Sequence, residues 1–109
     1  MNAQNFTQKS IEALQSAQSL AQAKRSSNIA PEHLLYALVA QEGGLIPTLL
    51  SRMGVDCGGL IGEMDGIINT MPRLGSAGDA YLAPESSRVI EAAEKAAKSM
   101  GDEYISVEH

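Results

Sequence analysis

An all-α fold is what this sequence predicts, and three observations carry the prediction. Apolar residues recur at helical spacing through several stretches, and Pro, Gly or Asn stands at the ends of those stretches. The third is a repeat: Ile29-Ala30-Pro31-Glu32-His33 returns 76 residues later as Ile105-Ser106-Val107-Glu108-His109. At that offset Ser10 falls on Ser86, Leu14 on Ile90, Ala17 on Ala93 and Ala21 on Ala97, so the helix in front of the motif is duplicated with it. Only six of the 29 aligned pairs from Asn5/Tyr81 to His33/His109 are identical, and it is the coincidence of helical phase that makes the match convincing. The expected organisation is a four-helix repeat over about 5–70, a linker over about 71–80 and a partial second repeat over about 81–109, related to the first by a pseudo-twofold axis. The apolar, helix-like sequence that follows His33 has no counterpart after His109, so the second repeat reads as truncated.

The first helix is expected from about Thr7 to Arg25, with Thr7 as N-cap and a stripe of Ile11, Leu14, Ala17 or Gln18, and Ala21. Its alanines admit a close neighbour, so it is expected to be central. Ser26-Ser27-Asn28 ends it, with Asn28 suited to a left-handed turn. Pro31 starts the second helix, whose Leu34, Leu35, Leu38 and Val39 are expected inward, and Gly43-Gly44 stops it. The third is short, from Ile46 or Pro47 to Met53, burying Leu49, Leu50 and Met53 before Gly54 turns the chain. The fourth has the clearest period: after Asp56 as N-cap come Cys57, Leu60, Ile61, Met64, Ile67 and Ile68. Its four glycines, Gly58, Gly59, Gly62 and Gly66, each cost roughly 1 kcal/mol against alanine, so it must depend on packing. Thr70 to Ala80 loses all period and gathers Pro and Gly. The fifth helix begins at Pro84, places Val89, Ile90, Ala93, Ala97 and Met100 on one face and ends at Gly101, copying the first.

A chain of 109 residues can bury about two thirds of its unfolded surface. No long apolar run and no signal-peptide pattern occurs, so a soluble, cytoplasmic chain with no membrane contact is expected. Thirteen acidic residues against eight basic ones give a net charge of −5, which argues against a nucleic-acid partner. A single cysteine excludes an internal disulfide.

No cofactor is expected. No phosphate-binding loop is present, since no lysine follows any glycine, and Gly59-x-x-Gly62 sits within a helical period rather than after a strand. His33 and His109 each follow a glutamate, yet neither has a second His or Cys at ligand spacing, so a structural role closing the turn before a helix is expected of both. An enzyme built on His33 and Cys57 is the reading from another class, and Cys57's place in an apolar stripe weighs against it. Asp56, Glu63 and Asp65 are expected on a solvated helix face. Thr7, Asp102 and Glu108 share a position at helix ends, where capping and helix-dipole roles are the plain expectation.

Phe6-Thr7, Ile29 to Leu38, Gln41-Glu42-Gly43-Gly44-Leu45-Ile46-Pro47, Met53-Gly54-Val55-Asp56 and Met100 to His109 together resemble the duplicated N-terminal domain of Clp ATPases. Gly43 to Pro47 and Gly101 to His109 are most similar to the ClpB branch. The resemblance implies a non-catalytic domain of a hexameric, ATP-driven disaggregase that loosely binds unfolded or aggregated polypeptide, the domain alone being a monomer. It implies a substrate-binding role for Thr7, Asp102 and Glu108 beside an apolar groove. Docking of a folded adaptor, as in the ClpC and ClpA branches, is the alternative within the family, and a mobile spacer is another. Ala92, Ala93, Ala96 and Ala97 stand where relatives often carry leucines, which implies a shallower groove, and Ala83 stands where the first repeat has Thr7.

Overall fold

The structure is a computed structural model that describes residues 3–75 and 78–109; the 71–80 linker therefore lies partly outside the described residues. A 3-10 turn, Ala3–Asn5, leads into α1 (Gln8–Ala23), followed by β1 (Asn28–Ile29), α2 (Pro31–Ala40), α3 (Leu45–Arg52), α4 (Cys57–Asn69), β2 (Tyr81–Leu82) and α5 (Pro84–Ser99).

Thr7 starts α1 from an extended backbone, and its hydroxyl accepts the Ser10 amide at 3.3 Å. One face of α1 buries Ser10, Ala13, Ala17 and Ala21, a row of small side chains against which α2 packs closely. Ile11 and Leu14, expected at the centre of the stripe, are only half-buried, because they serve a second contact. Ala17, Ala21, Ile29, Leu34, Ala37 and Ala80 form one core cluster. Phe6, Ile90, Ala97 and Ile105 form another, and Leu14 packs against both. The helix is central for that reason: it packs on α2 and adds Ile11 and Leu14 to the cluster that holds Ile90 and Ala97 of α5.

The turn after α1 differs from expectation. Arg25, at φ 53°, takes the left-handed position, and Asn28 is in β1. Arg25 N–H donates to Gln22 and Ser26 N–H to Ala21, the pair of bonds that closes a helix one residue after its cap. The distance from the last helical turn to this pair, rather than the left-handed tolerance of Asn, selects the residue.

In α2 the buried residues are His33, Leu34, Ala37 and Val39, while Leu35 is exposed. Leucines at consecutive positions are about 100° apart on a helix, so Leu34 and Leu35 cannot share one narrow contact. In α3 no residue is buried, and Leu49 and Met53 face outward, Met53 at 75% exposure. The expected burial of Leu49 and Met53 fails because α3 touches the domain through one side only. α4 buries Met64 and Ile68, with Ile67 exposed. Asp56 precedes α4 without a side-chain capping bond. Asp65, expected in solvent, pairs with Lys24 of α1 at 3.0 Å. In α5, Ile90 and Ala97 are buried, but Val89 and Met100 are exposed.

The helices are joined by short extended pairings that helical periodicity does not reveal. Asn28 and Ile29 pair in parallel with Tyr81 and Leu82, and Phe6 bridges Ile105, also in parallel. Phe6, Asn28–Ile29 and Tyr81–Leu82 lie just before the N-caps Thr7, Ala30 and Ala83, where backbone groups have no helical partner. Among the described residues, no single helix is long and apolar enough to cross a membrane.

Candidate functional site

The hydrogen bonds at the two pairings recur at the 76-residue offset. The Ile105 carbonyl oxygen accepts the Thr7 amide at 3.0 Å and the Ser10 hydroxyl at 3.0 Å. The Ile29 carbonyl oxygen accepts the Ala83 amide at 3.0 Å and the Ser86 hydroxyl at 2.6 Å. Gly101, at φ 74°, answers Arg25, and Asp102 N–H donates to Ala97 as Ser26 N–H does to Ala21. His33 Nδ1 accepts the Ala30 amide at 2.9 Å, and His109 Nδ1 accepts the Ser106 amide at 2.8 Å. Nε2 then meets Ser26 Oγ at 3.1 Å in one case and Asp102 Oδ2 at 2.7 Å in the other. The His33 imidazole holds the turn at the start of α2, as expected of it, and His109 makes the same bond in the 105–109 turn, which no helix follows among the described residues. His33 is fully buried, and that burial holds its pKa below the ordinary value, with the nearby Glu32 carboxylate acting in the opposite direction.

Between α1, α2 and α5 lies a mainly apolar groove of about 270 Å³. Leu14, Leu38, Val89 and Ala93 supply its walls, and the turn Ile105–His109 closes one end with Val107 and Glu108. Ala93 keeps the α5 side low, as the alanine-rich sequence of that helix implies. Glu108 is exposed and is the carboxylate on the lining.

Of the three residues singled out from the sequence, Glu108 lines the groove, while Thr7 and Asp102 do not. Thr7 is half-buried and reaches the lining through its amide bond to Ile105, its hydroxyl being engaged with Ser10. Asp102 reaches it through the His109 imidazole. Sequence reasoning missed Ser10 and Ser106 as polar groups on the lining and His109 as a link between Asp102 and the turn. The Ser10/Ser86 identity at the offset was the available signal for the first.

Cys57 is partly buried, with Sγ 3.7 Å from the Pro47 carbonyl oxygen and from Ser51 Oγ, while the His33 ring bonds to Ala30 and Ser26. Among the described residues, no group of three or more His, Cys, Asp or Glu could hold a metal ion.

The sequence profile of the Clp repeat (R) N-terminal domain matches residues 5–109. The chain belongs to that family. It is 40% identical over its whole length to chaperone protein ClpB of Porphyromonas gingivalis and 38% identical, over 95% of its length, to chaperone protein ClpB of Bdellovibrio bacteriovorus. This Clp N-domain spans 12% of the length of each of those relatives. Among solved structures, it superposes on the N-terminal domain (1–163) of the ClpV1 ATPase from the E. coli EAEC Sci1 T6SS with TM-score 0.84 at 26% identity, covering 94% of this chain and 62% of that one. The Hsp104 N-terminal domain from Candida albicans gives TM-score 0.84 at 20% identity, covering 94% of this chain and 68% of that one, a likeness of fold.

Proposed function

We propose that this Clp N-domain is the substrate-binding domain of a ClpB-type, ATP-dependent chaperone, taking hold of unfolded or aggregated polypeptide in the groove between α1 and α5 for disaggregation and refolding. The observation that carries the reading is the groove: it is apolar along its walls and has Glu108 at its rim. An unfolded chain offers apolar side chains and unpaired backbone amides, and a shallow groove with one carboxylate and a few hydroxyls accepts both without demanding a sequence. Weak, broad binding follows, favouring clients with Lys or Arg on a domain of charge −5. Thr7, Asp102 and Glu108 are the polar members of this site in our reading, Glu108 by contact and the other two by fixing the 105–109 turn. The likeness to ClpB chaperones over the whole chain supports it.

We further propose that the chain divides into a first repeat over about 5–70, a linker over about 71–80 and a partial second repeat over about 81–109, a division supported by the hydrogen bonds that recur at the 76-residue offset. The parent protein, in this reading, is a cytoplasmic hexamer whose ATPase modules act on what the N-domain captures.

Fluorescence anisotropy of a labelled, reduced and alkylated polypeptide tests the reading. Saturable binding that weakens with salt and with Glu108→Ala is expected. Binding of a folded partner at one-to-one stoichiometry, with none of the unfolded chain, would assign the groove to adaptor docking; a groove that binds neither would leave the domain a spacer.

A further inference from the structure

His33 is a fully buried titratable group that client capture does not use. Its Nδ1 is the acceptor of the Ala30 amide, so the ring is neutral and its proton sits on Nε2, which donates to the Ser26 hydroxyl. A second proton would set Nδ1–H against Ala30 N–H and leave an imidazolium out of reach of water. The residue next to Ala30 carries a joint between helices: the Ile29 carbonyl oxygen holds the Ala83 amide and the Ser86 hydroxyl at the start of α5. The His33 cap and the grip on α5 therefore share one stretch of backbone.

We propose that Ser26, Ala30 and His33 form an acid-sensitive latch, in which protonation of the imidazole frees the Asn28–Ala30 backbone and with it the β1–β2 joint that holds α5 to α1. The proton comes from solvent to Nδ1, and the Ala30 hydrogen bond is lost. The charged groups on the elements around the corner are Glu32 on α2 itself, Lys24 and Arg25 at the end of α1, Asp65 on α4 and Arg73 in the segment bridged to Ser26. Asp65 is paired with Lys24, and among the described residues no carboxylate hydrogen-bonds to the His33 ring. The second corner is built differently, since Asp102 places a carboxylate on His109 where Ser26 places a hydroxyl on His33. Because His109 Nδ1 also accepts a backbone amide, that of Ser106, the reference for the Ile29–Leu82 joint is α4 rather than the Phe6–Ile105 joint.

The sign follows from linkage. Burial lowers the His33 pKa in the folded state below the 6.5 of an exposed ring, so the unfolded or opened state binds more protons. The stabilisation is present above that value and is lost as pH falls from it toward the folded-state pKa.

Native-state hydrogen exchange followed by NMR, expressed as protection factors, tests the latch. Below the 6.5 of an exposed ring, one proton taken up on opening lowers the protection of the Ala83 amide by up to about tenfold per pH unit as pH falls toward the folded-state pKa. Protection of Met64 in α4 should fall less. His33→Gln keeps an acceptor for Ala30 and a donor for Ser26 but does not titrate, so its Ala83 protection should not depend on pH. A flat wild-type response, an equal fall in His33→Gln, or a parallel fall at Met64 would overturn the latch. If His33→Gln does not fold, the wild-type ring titration decides: Ala83 must lose protection as pH falls toward the ring's midpoint, and a ring that titrates while Ala83 stays protected overturns the proposal.

Discussion

Asp102 and Glu108 sit at the same end of the domain and differ in what they touch. The Asp102 carboxylate is 2.7 Å from His109 Nε2, an imidazole side chain only 1% exposed, whereas Glu108 points to solvent from the groove rim. Asp102→Ala removes the partner of a buried donor, which costs about 1–3 kcal/mol. Glu108→Ala should stay within about 0.5 kcal/mol, the usual range for exposed positions without such partners. Urea unfolding of the two single variants checks the split: equal stabilities would mean that the His109 bond contributes nothing to the fold. The sequence placed both residues at helix ends and assigned them one role. The difference was not legible because it depends on which way His109 turns, and only the Ser106 amide, holding Nδ1, fixes that.

At the scale of elements, α4 depends on its neighbours more than any other helix, because it carries Gly58, Gly59, Gly62 and Gly66. A Cβ added at Gly62 or Gly66 meets nothing within 4 Å, and neither residue has a positive φ. Gly62→Ala with Gly66→Ala should therefore stabilise the fold by roughly 1–2 kcal/mol, seen as a higher Tm in calorimetry. An unchanged or lower Tm would place a hidden constraint on that face of α4. Gly59 is different, since its added Cβ would approach Asp56 Oδ2 to 2.6 Å and displace that side chain. All five helices were legible in the sequence, with ends within a few residues, because their apolar periods and their Pro and Gly punctuation agree. Which apolar residues would be buried was less legible. A period marks an apolar side, but Met53, Val89 and Leu35 show that packing covers only part of it. The extended pairings were not legible at all, since two residues of β1 and two of β2 are too few to show an alternating pattern.

For the molecule as a whole, α5 is held to α1 by two carbonyl oxygens, those of Ile29 and Ile105, and by a thin apolar contact. Phe6, Leu14, Leu34 and Ile90 line both the groove and a second cavity of about 460 Å³ that opens beside β2. A groove bounded by so slight a contact can change width without disturbing α4, which suits the broad capture proposed for it. The repeat in the sequence foretold that the Glu-His turn would occur twice, but not that Glu108 alone of the three candidate residues would stand on the lining. The most direct test of client capture is a heteronuclear NMR titration of the labelled domain with an unfolded polypeptide. Shift changes and cross-saturation should gather at Val89, Ala93, Val107 and Glu108, leaving the exposed Leu45, Leu49 and Met53 of α3 unchanged. Perturbation confined to α3 with silent groove amides would contradict the account.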